Sequence, residues 1–272
     1  MTIKRTISAL LMIILAVLAV LNQWIFIATI VALTIGGLYE FFHMVKKKGI
    51  PIYSYVGIFI GLLIPLSIFS RFELTRNWEL LLTVLAFLLI LFLQFRRQDS
   101  KNAIVGISTT LFGILYISWF FSFLVKIRLL PDVNGQNLLA FILLVTKMGD
   151  IGALFIGEKF GRRPLLPHIS PNKSVEGCLG SLLFSIVTAI CARSLLPEVP
   201  NFSLIHVAFM GAFFGAVGQL GDLSESLIKR DCNIKDSGKA LPGMGGIMDV
   251  IDSLLFSAPA FYLYMSAVLG TL

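Results

Sequence analysis

Apolar residues run along this chain in nine stretches, at residues 7–21, 24–42, 52–69, 78–95, 103–125, 138–157, 177–195, 204–220 and 247–269, and polar residues gather in the short segments between them. A helix of roughly 17–25 apolar residues is what the ~30 Å hydrocarbon core of a bilayer requires. The pattern therefore predicts an all-α, polytopic transmembrane helical bundle of about nine spans. Only Asn22 and Gln23 part the first two runs, which predicts a helical hairpin. Lys4 and Arg5 precede the first run as they would in a secretory signal. No small-residue cleavage site stands before Asn22, however, and further apolar runs follow at once, so a retained first span is expected.

Composition strengthens this picture. Of 272 residues, 57% are hydrophobic and 14% charged, with a mean hydropathy of +0.91. About 25% charged residues is usual for a soluble domain, so the polar surface here is too sparse for a water-facing globule. Cys178, Cys191 and Cys232 show no metal-ligand spacing and are read as free thiols. His43, His168 and His206 lie far apart, outside any ligand pattern.

The basic residues give an orientation. With the N-terminus inside, the cytoplasmic segments hold sixteen of them: Lys4, Arg5, Lys46, Lys47, Lys48, Arg96, Arg97, Lys101, Lys159, Arg162, Arg163, Lys173, Lys229, Arg230, Lys235 and Lys239. The outer segments hold five: Arg71, Arg76, Lys126, Arg128 and Arg193. This bias predicts an N-terminus inside and, after nine spans, a C-terminus outside. It also accounts for most of the net charge of +7, so no nucleic-acid partner is expected. Ten of the fifteen acidic residues lie between positions 150 and 252. Residues 1–137 thus read as an N-terminal transmembrane scaffold and residues 138–272 as the catalytic region.

Within that region, chemistry concentrates in residues 224–252. If the eighth span continues helically, Asp222, Glu225, Ser226 and Lys229 share one face. Carboxylates at membrane depth cost several kcal/mol unless paired, hydrated or bound to a cation; the plain alternative for Glu225 is a helix end whose charge snorkels to water. Next come Lys229, Arg230, Lys235 and Lys239, with Asp236, then Pro242, Gly243, Met244, Gly245 and Gly246, leading into the ninth span. Glycines let backbone N–H groups approach a ligand, and a helix N-terminus favours anions, which together suit a polyphosphate. Asp249 and Asp252 follow at i and i+3, hard oxygen donors of the kind Mg²⁺ takes. Acids there also complement the helix dipole, but cations, glycines and a paired acid in one short stretch point further. Asp150 is ionisable inside an apolar run, with Lys147 one turn earlier as a candidate ion-pair partner. Lys173 lies in a short cytoplasmic loop with Ser170, Ser174 and Glu176.

Laid out in this way, residues 146–256 resemble the phosphatidate cytidylyltransferase family, the CDP-diacylglycerol synthases. The signature is met at Ser226, Lys229, Arg230, Lys235, Asp236, Gly238, Leu241, Pro242, Gly243, Gly245, Gly246, Asp249 and Asp252. Upstream, Gly221, Asp222, Glu225 and Ser226, then Asp150, Gly157, Phe160, Gly161 and the run 169–177, are similar to the family's other conserved stretches. Two positions depart: Met244 stands where the signature has histidine, and Val250 where it has arginine. The resemblance implies transfer of CMP from CTP to phosphatidate in the bilayer, at a cytoplasm-facing site in the inner membrane, by a homodimer. It further implies Mg²⁺ on Asp222 and Asp249 with Asp252 in support, and leaves room for a second, monovalent cation. Lys173, Lys229, Arg230 and Lys235 would neutralise phosphates, while Asp150, Ser226, Asp236, Gly243, Gly245 and Gly246 would line the substrates. Two other functions fit parts of the pattern: a CTP-dependent polyprenol or phytol kinase, and an ion-coupled transporter using Asp150, Asp222 and Glu225.

Overall fold

The computed structural model describes residues 3–72, 78–97, 101–198, 201–238, 240–243 and 245–270, with side chains from residue 6 onward. Arg76, Lys239 and Met244, and the side chains of Lys4 and Arg5, lie outside the described residues. Every apolar run named above falls on a helix: α1 (Ile3–Leu21), α2 (Gln23–Lys47), α3 (Ser54–Phe69), α4 (Trp78–Phe95), α5 (Ala103–Gly113) continuing through a π-helical stretch (Ile114–Trp119) into α6 (Phe120–Arg128), α7 (Gly135–Phe160), α8 (Val175–Cys191), α9 (Leu204–Asp231) and α10 (Met248–Leu269). Six of these runs are long and apolar enough to cross a membrane, and α1, α3 and α8 are shorter apolar helices. The protein is thus a polytopic helical membrane protein. The all-helical expectation needs one correction: between α7 and α8 lies an antiparallel hairpin of β1 (Pro164–Leu166) and β2 (Ser170–Ser174). Pro164, Pro167 and Pro171 keep this segment out of a helix, so backbone pairing between the two strands supplies the hydrogen bonds.

The chain forms two compact units, residues 1–125 with 231–250 and residues 126–230 with 251–272. In the first unit, Asn22 turns α1 into α2, its side chain accepting from Trp24 N at 2.8 Å and Ile25 N at 3.2 Å. This caps the start of α2 as Asn commonly does. Helix α2 buries Ile27, Ile30, Thr34, Leu38, Phe41 and Val45, a stripe at spacings of three and four. Its large side chains sit in glycine notches. Phe42 fills the space beside Gly57 of α3, Leu38 that beside Gly61, and Phe41 that beside Gly113.

In the second unit, small residues again let helix backbones approach, the usual solution where lipid removes the hydrophobic drive between helices. Gly149 and Gly152 of α7 face Ser181, Ser185 and Phe184 of α8, and Gly180 returns the contact against Ile156. Ser185 Oγ donates to Val145 O at 3.0 Å across the same seam. Gly211 and Gly215 of α9 abut Ser185 and Ala189. On the opposite side of α8, Leu179, Leu183 and Val187 form an exposed apolar stripe, suited to acyl chains.

A Cβ at Gly152 would lie 2.6 Å from Phe184 Cβ and 2.7 Å from Gly180 O. Gly152→Leu should therefore cost about 1–3 kcal/mol by overpacking. Thermal unfolding in detergent should register this as a Tm lowered by several degrees. Gly157→Ala, whose Cβ would meet nothing closer than 3.5 Å, should leave Tm near wild type.

Candidate active site

Helix α9 continues to Asp231, so Asp222, Glu225, Ser226 and Lys229 do lie on one face. Glu225 does not snorkel: it is fully buried, with Ser226 and Lys229 largely so, and it pairs with Lys229 Nζ at 2.6 Å. Asp222 forms an ion pair with Lys173, which the hairpin strand β2 carries. Asp252 of α10 joins them because Gly221 has no side chain; a Cβ there would overlap the Asp252 carbonyl oxygen. Carboxylate oxygens of Asp222, Glu225 and Asp252 all lie within 4.8 Å of one another. At an effective dielectric of about 20, such charges repel by roughly 3–4 kcal/mol per pair. Lys173 and Lys229 offset part of that repulsion directly.

Asp150 and Lys147 form the intrahelical pair that their spacing predicts, at 3.0 Å. Sequence spacing did not reveal the third member, Ser253 of α10. Lys147 Nζ donates to Ser253 Oγ at 2.8 Å, and that hydroxyl donates to Asp150 Oδ2 at 3.0 Å. The neighbouring Asp252 Oδ1 accepts from Ser253 N at 2.6 Å. At the hairpin, Arg230 Nε donates to Ile169 O at 3.1 Å. Glu176 accepts from the backbone N–H groups of Arg162 and Arg163 at 3.0 and 3.2 Å, which fixes the hairpin to the start of α8.

The other candidates belong to the first unit. Leu241 and Gly245 exchange backbone hydrogen bonds at 3.0 and 3.2 Å, closing a tight turn. Gly243 and Gly245 have φ of 80° and 98° there, the left-handed region that glycine enters without steric cost. Asp249 reaches back over this loop: its Oδ2 accepts from Gly246 N at 2.7 Å, Ser237 Oγ at 2.9 Å and Ser237 N at 3.3 Å. The N–H groups of Gly245 and Gly246 are thus used within the loop. Lys235 and Asp236 are exposed. Cys232 is buried beyond α9, and burial, with Asp231 beside it, pushes its thiol pKa up. All three cysteines are free.

One residue escaped the sequence reading. Glu40 of α2, only 6% exposed, accepts from Ser237 Oγ and Met248 N, both at 3.0 Å, through Oε2. A carboxylate inside an apolar run was the available signal; it was overlooked because the acids concentrate in the second half of the chain.

Comparison with known proteins agrees with these features. The family model described as "Cytidylyltransferase family" matches residues 3–268. The chain is 33% identical over 252 residues to the phosphatidate cytidylyltransferase of Bacillus subtilis, covering 92% of this chain and 91% of that protein. It is 35% identical over 300 residues to the protein of the same name from Synechocystis, covering 99% and 98%. A third, from Mycobacterium bovis, is 37% identical over 166 residues, covering 61% and 52%.

Breaking a buried ion pair from one side costs about 3–5 kcal/mol. Lys229→Met should therefore lower Tm sharply in purified protein, and adding Glu225→Gln should restore most of the loss. A Lys229→Met protein as stable as wild type would mean that this pair does not hold Glu225.

Proposed function

The chain belongs to the cytidylyltransferase family, and on that premise we propose that it transfers CMP from CTP to phosphatidate, giving CDP-diacylglycerol and pyrophosphate. The observation that carries most weight is the carboxylate cluster of half-buried Asp222 with buried Glu225 and Asp252, set among apolar helices and balanced by lysines. Such a cluster is costly for a membrane protein to keep without a charged ligand.

The cluster offers hard oxygen donors close enough together for a divalent cation, so these residues fit the Mg²⁺ that the family implies. Asp222 and Asp252 belong to this cluster and the family resemblance adds Asp249; we propose Mg²⁺ on Asp222 and Asp249 with Asp252 in support, and a second, monovalent cation as part of the same proposal. When bound, Mg²⁺ supplies charge neutralisation at the phosphates. The protein's own groups do the rest. Lys173, Lys229, Arg230 and Lys235 bring positive charge to two anionic reactants. Ser226, Asp150 and Asp236 orient the substrates, and Gly243, Gly245 and Gly246 shape the loop against them. An oxygen of the phosphatidate phosphate attacks the α-phosphorus of CTP, the bond to the β-phosphate breaks, and pyrophosphate leaves with its electron pair. A phosphate monoester is already mostly ionised near neutral pH, so no general base is required. Positioning and charge complementarity then carry the catalysis, as in phosphoryl transfer generally.

The proposal extends to topology. All nine helical runs cross the bilayer, and the sixteen-to-five bias of basic residues sets the N-terminus and the site on the cytoplasmic side of the inner membrane, with the C-terminus outside. Residues 138–272 are the catalytic region and residues 1–137 the scaffold. The working unit is a homodimer, as the family resemblance implies.

Purified protein given labelled CTP, phosphatidate and Mg²⁺ should yield CDP-diacylglycerol and pyrophosphate, and chelation should stop the reaction. Release of CDP instead would identify a lipid kinase; ion flux in proteoliposomes without CTP turnover would identify a transporter. Asp249→Asn keeps an acceptor oxygen for the loop but removes the charge. It should lower CMP transfer by at least about a hundredfold with Tm unchanged. Near wild-type turnover in that variant would overturn the metal assignment.

A further inference from the structure

We infer that Glu40 is a positioning residue for the glycine-rich loop, and that one stripe of α2 is the template on which residues 231–249 are laid. The catalytic part of this inference rests on the cytidylyltransferase reading above. Gly36, Glu40 and Lys48 are spaced by four and then eight residues, which aligns them along one side of α2 and its C-cap. Each meets a different point of the same segment. Ile247 occupies the space that a side chain at Gly36 would take. Glu40 binds Ser237 Oγ and Met248 N. Lys48 Nζ binds Asp231 Oδ2 at 2.6 Å, where the segment leaves α9. Helix α1 adds Ser8, whose Oγ donates to Pro242 O at 2.9 Å.

The loop is shaped around the Glu40 carboxylate. A Cβ at Gly238 would overlap Oε1, and one at Gly246 would overlap both Oε2 and Ser237 Oγ. These two glycines therefore make room for Glu40. A hydroxyl has one proton to donate, and Ser237 Oγ lies 3.0 Å from Glu40 Oε2 and 2.9 Å from Asp249 Oδ2. Ser237 thus couples the two carboxylates through a single shared donor. Met248 N–H, at the first residue of α10, is held by Glu40 as well. Moving Glu40 shifts both the loop and the start of the helix that carries Asp249. Glu40 acts on the reaction through these groups and does not itself need to touch substrate.

The test compares Glu40→Leu, which keeps the bulk and removes both acceptors, with Glu40→Gln, which keeps one carbonyl oxygen. Hydrogen–deuterium exchange in detergent reads the loop without reference to activity. In Glu40→Leu, the amides of Ser237–Met248 should exchange at least about tenfold faster, as expected when hydrogen bonds to a charged acceptor are lost. Peptides from α7 and from the later turns of α10 should exchange as in wild type. In CMP transfer, Glu40→Leu should raise the KM for CTP by about tenfold to a hundredfold, the scale of a small misplacement of binding groups. The KM for phosphatidate should hold, and Glu40→Gln should recover most of the CTP affinity. Unchanged loop exchange in Glu40→Leu overturns the inference. So does exchange that rises equally in α7, because Glu40 would then merely stabilise the fold. Absence of CMP transfer in wild-type protein overturns the proposed function instead, and loop exchange still decides the role of Glu40.

Discussion

A carboxylate within an apolar helix pack is tolerated only when cations or hydrogen-bond donors replace the water it has lost. Much of this protein's architecture follows from meeting that condition repeatedly. Glu225 is answered by Lys229, Asp222 by Lys173, and Asp150 by Lys147 together with Ser253. Glu40 is answered by a serine hydroxyl and a backbone N–H. Few of these solutions are local. Most need two elements brought into contact at a particular register, so the acids and the helix packing constrain one another.

Glycines make those registers attainable. Gly221 lets the Asp252 backbone approach α9, and Gly149, Gly152 and Gly180 bring α7 and α8 together. Gly243 and Gly245 serve differently, by entering the left-handed backbone region that the turn requires. Gly238 and Gly246 serve in a third way, as space for a carboxylate from another helix. A glycine-rich motif of this kind is therefore more than a flexible phosphate loop. Among the described residues, Leu241, Gly245, Gly246, Ser237 and Asp249 bond to one another within it, and the proposed function uses such a preformed loop.

That preorganisation suits transfer between two anions. The family's reaction asks the protein for fixed charge and fixed geometry rather than for a strong base. In the proposed scheme, lysines anchored by carboxylates would supply both, since an ion-paired lysine loses less freedom on meeting a phosphate than a mobile one. Val250, where the family signature has arginine, removes one cation. The proposal places that burden on Lys173, Lys229, Arg230 and Lys235.

Several features were legible along the chain because they depend only on helical periodicity. The helical runs could be read from hydropathy, the shared face of Asp222, Glu225, Ser226 and Lys229 from spacing, and the Lys147–Asp150 pair from its i, i+3 separation. Tertiary structure alone decided which distant groups meet: Lys173 with Asp222 through the hairpin, Ser253 with Asp150 across 103 residues, and Ser237 and Met248 with Glu40 across 197 and 208. Local spacing is set by backbone geometry and travels with the sequence. Long-range partners are set by how helices cross, which a single chain read in one dimension does not encode in any local pattern. Residues 1–137 read as scaffold because ten of the fifteen acids lie beyond them, and the fold gives that half Glu40, a carboxylate bonded to Ser237 and Met248 at either end of the glycine-rich loop.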